Sequence, residues 1–206
     1  MNKANQTNKI KYLKDSEIKA IANEFLIKNN PKNEVPVPIE YIAEYNLGLS
    51  IIPTKDLKRV HGIEAFINST QDKIFLDQYC YENYEERTRF TIAHEIAHIV
   101  LHKDFYQSLK IQTEEEYLSF QDNENIETKK RVEAQAYVFT GYLLLPETLF
   151  NPEFQKLVKD VHSIDVEQLQ QIMAKLSEQF CVSGICIYKQ LQKEYPEFMK
   201  EIEKLV

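Results

Sequence analysis

The chain of 206 residues has no apolar run long enough to span a membrane. Its first twenty residues are polar, carry five lysines and lack the apolar core of a signal peptide. Neither a membrane span nor secretion is expected. Cysteine is scarce, and Cys80, Cys181 and Cys186 can neither all pair internally nor fit a C-x-x-C zinc motif. Without a leader they are expected to be reduced thiols in the cytoplasm, with Cys181 and Cys186 read as small buried residues. Positive charge is in deficit, with 25 Lys and Arg against 32 Asp and Glu, for a net charge of −7. That argues against general binding to nucleic acid or anionic membranes. There is no internal repeat, and a chain of this length buries one core, or a core with a small appendage.

Another absence is local. Neither glycine nor proline interrupts residues 84–106, and Phe90, Ala93, Ala97, Val100 and Leu101 recur at helical spacing. Asn83, with Glu86 three residues on, resembles a capping box. The pattern predicts a helix over 84–102, and within it stands His94-Glu95-Ile96-Ala97-His98. On a helix, residues four apart share a face one turn, roughly 6 Å, apart. Two imidazoles on that face can hold one Zn²⁺, and Glu95 is placed to activate water as a base, the core of a metallopeptidase. The competing reading is a buried amphipathic helix with two hydrogen-bonded core histidines.

A catalytic zinc takes three protein ligands and leaves one position open. His102 lies eight residues past His94, about 12 Å along the axis, too far to share its metal. It is expected to act as a cation against the last helix carbonyls. His61 and His162 have no partner pattern and read as structural or surface residues. Glu133 is the better candidate, leading a helix that ends near Pro146 with Ala136, Phe139 and Leu143 as its apolar stripe. Ala93, Ala97, Ala134 and Ala136 are small enough for two helices to approach closely. A solvated helix edge is the alternative for Glu133. Glu114, Glu115, Glu116, Asp122, Glu124 and Glu127 compete for its role, so spacing leaves the third ligand open.

The run from Arg89 through His98, then E-x-x-A-x-x-F from Glu133 to Phe139, then Leu143-Leu144-Leu145-Pro146, resembles the ImmA/IrrE family of zinc peptidases. The tail Phe180-Cys181-Val182-Ser183 and Tyr188-Lys189-Gln190-Leu191 resembles that family's closing segment, so the likeness covers about residues 16–192. Thr140 in place of a frequent Ala, Lys189-Gln190-Leu191 in place of an Arg-Leu pairing, and Gly184 and Cys186 opening the last helix are departures. None touches the ligand positions. The resemblance implies His94, His98 and Glu133 as zinc ligands and Glu95 as general base. It also implies a protein substrate, a helix-turn-helix repressor whose cleavage derepresses mobile-element or stress genes. A protein that binds such a partner without cutting it, an antitoxin or anti-repressor on the same scaffold, is the alternative.

The fold expected is α+β, a mainly helical single domain with a small β-sheet packed beside the H-E-x-x-H helix. Residues 1–14 read as a flexible tail and 15–206 as the domain. A helix over 16–28 has Ser16 as cap and Ile18, Ile21, Ala22 and Phe25 as its buried stripe. Asn29–Pro38, with three prolines, is a linker turn before a short helix from Val37 to Glu44. Leu49–Ile52 reads as a strand, and Gly62–Asn68 with Lys73–Asp77 as a hairpin. Residues 103–127, acidic and weakly patterned apart from Tyr117, Leu118 and Phe120, read as a long connection. It either flanks a substrate cleft, where its charge would favour a basic substrate segment, or is a solvated loop. Residues 165–194 form a helix-turn-helix-like pair with Asp165 and Ser183 as caps. Its second helix has no arginine and is followed at once by Glu194 and Glu197, so direct nucleic-acid binding is not expected.

Overall fold

The computed structural model describes residues 10–159 and 165–203. His162 and residues 1–9 of the expected tail lie outside them. Residues 10–14, without helix or strand, lead into α1 (Asp15–Asn29). A short helix α2 (Ile39–Tyr41) runs on as a wider π-helical turn through Ile42–Asn46. Strand β1 (Ser50–Thr54), helix α3 (Leu57–His61), and strands β2 (Ala65–Ile67) and β3 (Lys73–Asp77) follow. Helices α4 (Gln78–Asn83), α5 (Glu85–Leu101), α6 (Lys103–Leu109), α7 (Glu114–Asn123) and α8 (Ile126–Leu144) make the centre. Helices α9 (Glu147–Val158), α10 (Val166–Phe180), α11 (Gly184–Glu194) and α12 (Pro196–Glu203) close the chain. The fold is thus the mainly helical α+β domain expected.

Helix α5 is enclosed rather than amphipathic: Thr88, Ile92, Ala93, Glu95, Ile96, Ala97 and His98 are all buried. It packs on α8, which α1 also contacts, and Ala93, Ala97, Ala136, Phe139 and Leu143 share one core. Its opposite flank meets β2. The sheet has the order β1-β3-β2, with β1 parallel and β2 antiparallel to β3. Side chains alternate across it, as strand geometry requires. Ala65, Ile67, Ile74 and Leu76 join the main core beneath α5. Phe66 and Phe75 face away and stack 4.7 Å apart in a second cluster with Leu57, Ile111 and Tyr117.

That second cluster corrects the reading of 103–127 as an irregular connection. The segment holds α6 and α7, and α7 starts with a capping box from Thr113 and Glu116. The ring of Tyr117 stacks on Phe66 at 4.7 Å, and Phe105 meets Phe120 edge-on. Two caps are also corrected. Asn83 ends α4, donating its side-chain amide to the Tyr79 carbonyl at 2.9 Å, so Tyr84 takes the cap position of α5 and the Asn83–Glu86 box does not form. Helix α1 starts one residue before Ser16, with the Lys14 amide donating to Glu17 at 2.8 Å.

Helices α10 and α11 make the C-terminal pair. Asp165 and Gln168 form a reciprocal cap on α10, and Ser183 holds the cap position of α11, although its hydroxyl meets Cys186 Sγ at 3.3 Å instead of a helix amide. Ile172, Leu176, Phe180, Ile187 and Leu191 turn into the core. The Arg89 guanidinium ties this pair to the centre, donating to the Cys181 carbonyl at 3.2 Å and the Val37 carbonyl at 2.7 Å. All three cysteines are free thiols; Cys80 is buried, whereas Cys181 and Cys186 are only partly so. Among the described residues no helix is long and apolar enough to cross a membrane.

Candidate metal centre

The helical spacing of His94 and His98 puts both imidazoles on the α8 side of α5, where their rings meet edge-on at 4.8 Å. Glu133, in the second turn of α8, reaches both: Oε2 lies 3.0 Å from His94 Nε2 and Oε1 lies 3.7 Å from His98 Nε2. A tetrahedral centre with bonds of about 2.1 Å separates its donors by about 3.4 Å. The two spacings, one from each carboxylate oxygen, bracket that value. Ligand-capable atoms of His94, Glu95 and His98 also lie within 4.8 Å of one another. Three of the competing acids are engaged elsewhere: Glu114 pairs with His61 at 2.7 Å, Glu116 serves the α7 cap and Glu127 pairs with Lys130.

The two imidazoles sit in unlike surroundings. The side chain of His98 is 2% exposed, that of His94 13% and that of Glu133 41%, so the pocket opens on the His94 and Glu133 side. Burial, then the neighbouring His94 and His102, holds the His98 imidazole well below its ordinary pKa. For His94, burial pulls downward too, but the Glu133 hydrogen bond and the charges of Glu95, Glu133 and Glu64 outweigh it and raise the net value. Glu95 points into the core beside β2. Burial pushes its carboxyl up to about 7, assisted by Glu133 and opposed by His94 and by a hydrogen bond to the Ile67 backbone. A carboxyl poised near neutrality suits proton transfer.

His102 is not a helix-end cation. It is buried, its pKa is lowered chiefly by burial, and its ring lies between His98 and Gln135, with nitrogens 3.2 and 3.0 Å from them. The sequence signal was present, because His102 follows His98 by the same four residues that separate His94 from His98. Three tyrosines were also not singled out for the site. Tyr106 packs its ring on His98 at 4.7 Å, and burial raises its pKa well above the ordinary phenol range. Tyr117 stands beside it, its phenol raised by burial and by the charges of Glu95 and Glu133. Tyr137, one turn beyond Glu133, packs on His94 at 4.8 Å yet is largely exposed.

Beyond Tyr137 and Phe90 a groove of about 1040 Å³ runs between α5, α8, α10 and α11. Its walls include Val138, Gly141, Cys181 and Lys189, and none of residues 103–127 contributes to them. The segment packs over the sheet, and its Tyr106 and Tyr117 stand against the other side of the site.

A helix-borne H-E-x-x-H pair, a carboxylate from a second helix and a buried glutamate together define the class of helix-based metallopeptidases. Residues 71–191 match Peptidase_M78, the IrrE N-terminal-like domain, and the chain belongs to that family of metallopeptidases. No curated protein matches the chain. Among solved structures, a Mycobacterium tuberculosis transcriptional regulator shares the fold, with a TM-score of 0.55 and 12% identity over 86% of this chain. The match spans 46% of the regulator, so this chain corresponds to less than half of its length.

Proposed function

We propose that the chain is a zinc-dependent regulatory endopeptidase that cleaves a helix-turn-helix repressor in the cytoplasm. The observation that carries the reading is the convergence of His94, His98 and Glu133 from two helices, with Glu95 buried beside them. Zn²⁺ held by these three residues would supply Lewis-acid chemistry, polarising a scissile carbonyl and acidifying water. Glu95 takes the water proton and passes it to the leaving amine, a role to which a carboxyl near neutrality is suited. Tyr137, whose largely exposed ring packs against His94, would be the phenol that donates to the developing oxyanion. The groove beyond it takes the polypeptide on one side of the scissile bond.

The repressor as substrate rests on the family likeness. Its test is to incubate the chain with a helix-turn-helix repressor encoded beside it. Fragments formed by the parent and absent with Glu95→Gln are expected; an intact repressor held in a stable complex would favour the non-cleaving anti-repressor. Direct DNA binding is disfavoured by α11, whose Ile187 and Leu191 are buried and whose Lys193 pairs with Asp15 at 2.9 Å.

A further inference from the structure

The hydrogen bonds behind His98 run in one direction only. Gln135 Nε2 lies 2.9 Å from the main-chain carbonyl of Lys11. A carbonyl only accepts, so this end of the side chain is the NH₂ and the opposite end is the oxygen. That oxygen lies 3.0 Å from His102 Nε2, and since it too only accepts, His102 carries its proton on Nε2. Both rings are buried, and burial favours the neutral imidazole. The remaining nitrogen of His102, Nδ1, then bears a lone pair, and it lies 3.2 Å from His98 Nδ1. His98 fills that contact with an Nδ1 proton. Its own lone pair is left on Nε2, the atom that faces Glu133. In water a histidine side chain favours the opposite tautomer, protonated on Nε2, so this arrangement is imposed by the fold.

We propose that His102 and Gln135 are positioning residues: anchored on the Lys11 carbonyl, they lock His98 as the Nδ1-protonated tautomer and aim its Nε2 lone pair into the metal centre. The tautomer follows from the hydrogen bonds alone, while its consequence for metal binding rests on the reading of His94, His98 and Glu133 as ligands. The carbonyl comes from the segment that precedes α1, where Ile10 also accepts from Arg131 at 3.1 Å. The start of the described chain is thereby tied to the site through two helices. His94 has no such support: its Nδ1 is buried without a partner among the described residues.

The test is long-range ¹⁵N–¹H NMR of the histidine rings in the metal-free full chain, joined to zinc affinity by chelator competition. In the parent, His98 is expected to be unprotonated at Nε2 and His102 unprotonated at Nδ1. His102→Leu removes the acceptor, should let His98 drift towards the Nε2-protonated form, and should weaken zinc binding by about 10–100-fold. His102→Asn returns an amide oxygen near the lost nitrogen and should recover most of both. A parent His98 protonated on Nε2, or a His102→Leu variant with unchanged tautomer and affinity, would overturn the proposal. Expected tautomers in a parent that takes up no zinc would uphold the hydrogen-bond chain and overturn the metal reading instead.

Discussion

The two sides of the site are built differently. Behind His98 every neighbour is buried and engaged, with His102 and Gln135 on its Nδ1 side and the Tyr106 ring on its face. Around His94 the site is more exposed: its covering ring is the largely exposed Tyr137, which also lines the groove, while its Nδ1 is buried without a partner among the described residues. One side is closed and hydrogen-bonded, and the other is where the proposed substrate would enter. Substitutions behind His98 should therefore act through stability and metal affinity, and those around His94 through turnover.

The largest effect is expected from Tyr106→Ala, which opens a cavity behind His98 and should cost about 3–5 kcal/mol in denaturant unfolding. The next concerns Glu95, between the two sides. In the metal-free chain its raised pKa means that the unfolded state loses this proton first as pH rises from 4.5 towards about 7. Stability should fall through that window. Glu95→Gln removes the penalty, so the metal-free variant should be more stable than the parent by roughly 3 kcal/mol at about pH 8 and by under about 1 kcal/mol at about pH 5. The same variant should retain zinc and lose cleavage.

On the open side, Tyr137→Phe should lower kcat about 10- to 100-fold with little change in KM or melting temperature. An equal loss of stability would merge the two sides and break the comparison. The smallest effect is expected at Glu64 on the groove wall, where hydrogen bonds and charges from Arg87 and Lys58 hold its carboxyl below the ordinary range. Its stabilisation is present above pH 4.5 and lost as pH falls through the lowered pKa. Because the pair is partly exposed, Glu64→Gln should cost under about 1 kcal/mol in urea unfolding at neutral pH.

The open side and its chemistry were the more legible in sequence. The four-residue step from His94 to His98 is a local pattern that helical geometry converts into one face, whereas spacing left Glu133 open among several acids and only the family resemblance singled it out. The β2–β3 hairpin was legible for the same reason, whereas the parallel pairing of β1 with β3 is non-local and leaves no trace in either segment. The braced side was read wrongly at His102, because a histidine in the last turn satisfies a helix-dipole argument as well as a buried one. Burial there depends on Gln135 from α8, 33 residues away. Helices α6 and α7 were missed because α7 buries no residue fully, and its few apolar side chains act by stacking on Phe66 and Phe105. A ten-residue acidic helix with so little periodicity carries almost no signal before its partners are known.

The most direct measurement is the metal content of the purified chain by elemental analysis, with His94→Ala and Glu133→Ala in parallel. The account expects about one zinc per parent chain, the stoichiometry of a single three-ligand centre, and loss of that zinc in both variants. A parent that takes up no metal even after incubation with zinc would contradict it and leave His94 and His98 as core histidines of a binding protein.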